Sequence, residues 1–238
     1  MMLSRRSFTA CFTAFLLAGS HIPALSEQIS DQFSPEITIA RQAKDNQKSV
    51  FSKNWMISAA NPHAVEAGAR ILRGGGNAID AAIAVQLTLG LVEPQSSGLG
   101  GGAFLVYYDA KSGEVTTLDG RETAPAAATP ELFQDENGNP LKFFDAVVGG
   151  RSVGTPGTPA LLWDMSQRWG QRNWSSLFEY SINLASTGFT VSPRLAALLE
   201  RAKDTLSKQK YASDLFLPDG VPLKAGTKFI NNDFLIVF

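Results

Sequence analysis

The chain has 238 residues, 44% of them apolar, and its 21 Lys plus Arg against 22 Asp plus Glu leave a net charge of -1. That is enough apolar material for one large or two small globular domains, and the balance of charge excludes the electrostatic footprint of a nucleic-acid binder or an anionic-membrane binder. The only cysteine, Cys11, and one of the two histidines, His21, fall near the N-terminus, so the rest of the chain has no thiol for a disulfide, a zinc-thiolate centre or a cysteine nucleophile.

The first residues read as a targeting segment. Ser4-Arg5-Arg6-Ser7-Phe8 is a charged start with paired arginines, residues 9–19 are mostly apolar, and Ala24-Leu25-Ser26 has the small-x-small pattern of a signal-peptidase site. The apolar run is shorter than the ~20 residues that span a bilayer. This favours a cleaved export signal over 1–26 and predicts a periplasmic or secreted protein, delivered by the twin-arginine route and free of the membrane after cleavage. A general export signal with two incidental arginines is the alternative. Residues 27–54 are polar, contain Pro35 and few large apolar side chains, and read as a flexible lead-in.

Order is expected from residue 55 onward. Met56-Ile57-Ser58-Ala59 is a short apolar run consistent with a buried strand, although its length does not distinguish it from a helical segment. Asn61 then caps a helix with Pro62 at its first position and His63 in a solvated first turn. Ala64, Gly68, Ile71 and Leu72 share one side of it, and Gly74-Gly75-Gly76 ends it. Asn77 caps the next helix, with Asp80 near the positive end of its dipole. Ile79, Ile83 and Leu87 lie on one face of that helix and Ala84, Val85 and Leu89 on the other, so it should be buried on most sides before Glu93-Pro94 stops it.

Gly98-Leu99-Gly100-Gly101-Gly102 leads into a hairpin with strands over 103–108 and 114–118, joined at Asp109-Ala110-Lys111-Ser112-Gly113. Turn signals follow at Asn137-Gly138-Asn139-Pro140 and Gly154-Thr155-Pro156-Gly157. Three more helices are predicted over 158–169, 174–185 and 193–207, the last capped by Ser192 with Pro193 behind it. No linker divides residues 55–230.

Neither glycine-rich segment has the context of a phosphate loop. The first follows a helix and the second precedes a strand, the reverse of the order such a loop requires, and no Lys-Ser/Thr pair follows either. Consecutive glycines at 100–102 instead suggest that the backbone approaches something closely. His63 is the one imidazole left for a Ser-His-Asp triad, but a first-turn position explains it without a function. No cluster of His, Cys and carboxylates has ligand spacing, so no metal or cofactor is indicated. Arg121, just beyond a hairpin strand in Asp119-Gly120-Arg121-Glu122, could meet a carboxylate with two parallel hydrogen bonds, a geometry lysine cannot reproduce. A structural ion pair with Asp119, Glu122 or a distant acid is the competing reading.

Four segments occur in a fixed order: Gly75-Gly76-Asn77-Ala78-Ile79-Asp80-Ala81-Ala82, Gly98-Leu99-Gly100-Gly101-Gly102, Asp119-Gly120-Arg121-Glu122-Thr123-Ala124-Pro125 and Gly154-Thr155-Pro156-Gly157. On these residues the stretch 56–229 closely resembles the large-subunit half of γ-glutamyltranspeptidases, hydrolases of the N-terminal-nucleophile type. The resemblance implies an α+β fold, a four-layer αββα sandwich with two central sheets between helical layers, here incomplete. It implies that glutathione and other γ-glutamyl compounds are substrates, that a small subunit is the partner, and that Arg121 binds the substrate's α-carboxylate. It implies no cofactor.

In that family the nucleophile is a threonine that begins the small subunit, downstream of everything here, so the resemblance puts it beyond Phe238 and leaves the chain inactive alone. Thr116-Thr117 is followed by Leu118-Asp119 instead of the family's Thr-His and reads as structural. Residues 231–238 replace a helix usually rich in Leu and Ala with an apolar ending, expected to be a sticky, β-prone tail of a truncated or frameshifted chain. The missing half should cover apolar faces of 77–91 and 103–118. A cephalosporin-acylase-like enzyme, an exported non-catalytic binding module and a pseudogene product that never folds stably are the alternatives.

Overall fold

The computed structural model describes residues 33–237; the targeting segment, with Arg5, Arg6, Cys11 and His21, lies outside them. The first element corrects the expectation of a flexible lead-in. Pro35–Asp45 forms a helix, α1, with Ile37 as its buried residue. A segment this polar overall, with one buried side chain, reads as a lead-in even though its few apolar residues keep a helical spacing. What holds α1 is non-local: Ile37 is buried, Arg73 joins Glu36 and Glu66 at 3.3 and 2.8 Å, and Ser34 N–H donates to Glu66 at 3.0 Å.

Residues 55–59 form no strand. Ile57 instead packs against Gly68 of α2 (Pro62–Arg73), where an added methyl would come within 2.7 Å of its Cδ1. Helix α2 is capped by the Asn61 side chain, which accepts from the His63 N–H. Helix α3 (Ala78–Val92) follows after the glycine turn, capped reciprocally by Asn77 and Asp80. It is the axis of the molecule. Its Ile79, Ile83 and Leu87 enter a cluster with Leu161, Leu162 and Leu177, while Ala84, Leu91 and Val92 enter another with Leu184, Leu195 and Phe229. Most of α3 is thus covered by its own chain, which corrects the expectation for this helix in large part, although Ala82 is exposed and Val85 and Leu89 are half-buried.

The hairpin is β1 (Ala103–Asp109) and β2 (Glu114–Gly120), antiparallel with Ala103 opposite Gly120 and Tyr107 opposite Thr116. Strand alternation splits its faces. Ala103, Leu105, Tyr107 and Leu118 pack inward against α5 (Thr158–Trp169) and its neighbours, whereas Phe104, Val106, Tyr108 and Val115 are exposed, Val106 by 73%. A short helix, α4 (Phe143–Val147), lies between hairpin and α5. Trp174–Leu177 is a 3-10 turn instead of the start of a helix, and α6 runs over Glu179–Thr187. Beyond it, β3 (Phe189–Thr190) pairs with β4 (Lys228–Phe229) around α7 (Pro193–Leu206) and α8 (Lys210–Phe216).

The C-terminal residues correct a further expectation. Asn232–Val237 coil into a 3-10 turn, and Phe234 and Leu235 pack half-buried against the second cluster, so this segment is neither extended nor unpaired. Among the described residues, no helix is long and apolar enough to cross a membrane and no group of His, Cys, Asp and Glu could hold a metal.

Candidate substrate-binding site

Three of the four glycine-bearing segments meet at the end of β2. The Gly101 carbonyl accepts from Gly157 N–H, Thr158 N–H and the buried Thr158 hydroxyl, each at 3.1 Å. Thr155 N–H donates to Thr123 O at 2.8 Å and Thr123 N–H returns the bond at 3.4 Å. The loop before β1, the end of β2 and the turn before α5 are therefore one unit. Its glycines are required by distance: a Cβ on Gly157 would lie 2.1 Å from the Gly120 carbonyl oxygen, and one on Gly102 would lie 2.5 Å from a Glu122 carboxylate oxygen. The close approach that the glycine run suggested is thus to the chain's own Glu122.

Arg121 emerges from this unit. Its N–H donates to Asp119 Oδ1 at 2.9 Å, which fixes the bend after β2. Its Nε lies 3.3 Å from Glu122 Oε2 while 71% of the side chain is exposed. Of the two readings of Arg121, the ion pair is present, with Glu122, and most of the side chain is exposed. Glu122 holds the inner nitrogen, and the two terminal nitrogens have no partner among the described residues. An exposed pair of this kind adds about 0–1 kcal/mol, so its main effect is orientation, and it leaves the terminal nitrogens in the planar geometry that can meet a carboxylate bidentately.

Two shallow cavities flank the fork. One, of about 310 Å³, is lined by Thr123, Pro125, Phe133, Arg151 and Gly154, and the other, of about 380 Å³, by Asp119, Thr155, Pro156 and Asp164. Arg151 brings a second exposed guanidinium to the first cavity. Sequence reasoning missed it, because an arginine in an irregular segment thirty residues away carries no local signal.

The remaining sequence candidates are not here. Asn77 and Asp80 are internal: Asp80 is fully buried and accepts from Asn77, Gln171 and Arg172 N–H groups at 3.0 to 3.2 Å. His63 is corrected from solvated to buried. It is 5% exposed, its ring 4.8 Å from that of Phe33 and its Nδ1 3.3 Å from the Tyr180 hydroxyl. Thr116 and Thr117 pair with Tyr107 and Val106 within the hairpin. Glu93, unremarked in the sequence beyond ending a helix, is buried and accepts from Asn61 at 3.0 Å, Gln95 at 2.6 Å and Arg194 at 2.5 Å, tying α3 to α7.

The family model described as gamma-glutamyltranspeptidase matches residues 64–238, which contain this whole unit. The chain belongs to the γ-glutamyltranspeptidase family. It is 40% identical to the glutathione hydrolase proenzyme of Bacillus subtilis strain 168 over 98% of this chain and 39% of that protein. With glutathione hydrolase 3 of Arabidopsis thaliana it shares 34% over 91% of this chain and 34% of that one. The chain thus spans about two-fifths of the length of the curated relatives it matches. Among solved structures, the γ-glutamyltranspeptidase of Helicobacter pylori superposes with a TM-score of 0.74 at 33% identity, covering 78% of this chain and 53% of that one. Cephalosporin acylase of Bacillus halodurans superposes with a TM-score of 0.60 at 26% identity, covering 76% and 37%. The fold is α+β, of the N-terminal-nucleophile hydrolase type shared by these γ-glutamyltranspeptidases.

Proposed function

We propose that this chain is the large-subunit part of a periplasmic γ-glutamyltranspeptidase, and that Arg121 receives the α-carboxylate of glutathione or another γ-glutamyl compound. The observation that carries the reading is the free outer edge of the Arg121 guanidinium, fixed from behind by Glu122 and set between two cavities. A charged, planar fork aimed outward suits a substrate's free carboxylate better than any role in the fold. Export rests on the paired Arg5-Arg6 signal pattern.

In this reading the chain binds and orients, and the family's threonine, carried by a small subunit, does the chemistry. That threonine's hydroxyl attacks the γ-carbonyl, its own α-amine takes the proton, the amide's amine leaves, and water or an acceptor amine resolves the acyl-enzyme. Residues 33–237 alone then turn over nothing.

The test joins residues 33–230 to the part of the Bacillus subtilis relative beyond the matched stretch and compares parent with Arg121→Lys. Self-cleavage should persist in both. Loss of a charge-assisted hydrogen bond costs about 1.5 to 3 kcal/mol, so kcat/KM on γ-glutamyl substrates should fall roughly ten- to a hundred-fold. The loss should shrink for analogues whose α-carboxylate is amidated. Equal turnover of both substrate kinds by parent and variant would make Arg121 structural. Efficient turnover of acyl substrates lacking an α-carboxylate would favour the cephalosporin-acylase-like alternative, for which the superposition on the Bacillus halodurans enzyme is the supporting observation.

A further inference from the structure

A separate cavity of about 340 Å³ opens between α2, α3 and the start of α6, and shares no lining residue with the Arg121 unit. Its floor is apolar, with Ala67, Ile71 and Ala84, and its rim is polar, with Arg70, Arg172, Glu179 and Asn183. Charge bookkeeping around the rim decides what it can hold. Arg70 and Arg73 are offset by Glu66 and Glu36, with which they pair at 2.8 to 3.3 Å. Arg172 and Glu179 remain. Neither has an ion-pair partner among the described residues, and they do not pair with each other.

Arg172 is nonetheless held in place at both ends. Its backbone N–H donates to the buried Asp80 carboxylate at 3.2 Å, and its Nη1 donates to the Gly74 carbonyl at 3.0 Å. The glycine turn makes room for it: a Cβ on Gly76 would come within 3.0 Å of Arg172 Cγ and 2.6 Å of Ile71 Cγ2. The guanidinium is therefore partly ordered before any ligand arrives, which lowers the entropy cost of binding. Asn183, also lining the cavity, uses its side-chain oxygen for Thr187 at 3.4 Å, while its amide nitrogen donates to nothing described.

We propose that this cavity binds a small zwitterion, an amino acid or short peptide, with its carboxylate on Arg172 and its ammonium on Glu179. A bare anion would face Glu179 and a bare cation would face Arg172. Both groups are exposed, and a ligand carrying both charges, set apart by more than one ion-pair distance, engages the two at once. The site rests on its own residues and not on the γ-glutamyl reading.

The full chain is titrated by nuclear magnetic resonance with glycine, 4-aminobutyrate and 6-aminohexanoate, zwitterions of increasing charge separation, and with acetate and ethylammonium as single-charge controls. Saturable shifts of the Arg172, Ser176, Glu179 and Asn183 amides are expected from at least one zwitterion, with a Kd on the order of 1 mM. Both controls should bind at least tenfold more weakly. Arg172→Gln and Glu179→Gln, each checked for an unchanged melting temperature, should each weaken binding tenfold, and Arg121→Lys should leave it unaltered. The proposal is overturned if no zwitterion shifts these amides, if acetate matches the best zwitterion, if either rim variant binds like the parent, or if Arg121→Lys abolishes binding.

Discussion

The segments 75–82 and 119–125 are both short, glycine-containing and built around an acidic residue, yet their polar groups end in opposite situations. In the first, Asp80 has no exposed surface and is saturated by three backbone N–H donors, two of them ninety residues away. In the second, Asp119 serves one N–H, Glu122 holds one nitrogen of Arg121, and the rest of that guanidinium faces solvent. A motif that consumes its own buried polar atoms is holding the fold, whereas one that leaves them oriented and exposed keeps them accessible to a ligand. Sequence similarity to a family does not separate the two kinds. Their hydrogen-bond accounts do.

The contrast is broken most severely at Asp80. Asp80→Ala leaves the part-buried N–H groups of Asn77, Gln171 and Arg172 without their acceptor and empties a fully buried position; it should cost about 3 kcal/mol, read as a lowered midpoint in urea unfolding. Arg121→Lys, by contrast, should leave the midpoint within about 0.5 kcal/mol of the parent. Equal costs would erase the distinction.

Gly157→Ala tests the joint between the segments. Its methyl would sit 2.1 Å from the Gly120 oxygen, and because the neighbour is backbone, the end of β2 must move. Overpacking of this kind costs about 1 to 3 kcal/mol. The variant should therefore be less stable and, in the chimera with the Bacillus subtilis relative, should also raise KM for γ-glutamyl substrates. Stability lost with KM unchanged would uncouple Arg121 from the glycine unit.

The smallest effect concerns pH and the α1 docking site. Burial raises the Glu66 pKa, but the Ser34 N–H and the Arg70 and Arg73 guanidinium groups outweigh it and the net pKa lies below the ordinary value of 4.5. A depressed folded pKa contributes stability that is present above the unfolded pKa and lost as pH falls through the folded one. Melting temperature should therefore drop more steeply below about pH 4.5 in the parent than in Glu66→Gln. Parallel curves would show that Glu66 does not tie down α1.

Much of the helical scaffold was legible because its signals are local. Asn61, Asn77 and Ser192 each cap the helix they precede, and the two-faced apolar pattern of α3 required burial on both sides, wherever the covering residues came from. The hairpin could be read from alternation around a glycine turn, and Arg121 from the family motif that surrounds it. By itself the sequence determined those elements and their caps, and it singled out Arg121 as a candidate by its motif alone. Only the tertiary structure decided that α1 exists, because it is held by the burial of Ile37 and by Glu66 and Arg73 on another helix; that His63 is enclosed, because Phe33, Tyr180 and Phe189 close over it from distant segments; and that Arg151 joins Arg121 in lining one cavity. Local propensity is fixed by neighbours within a few residues, whereas burial and charge pairing depend on which distant segments the folded chain brings together.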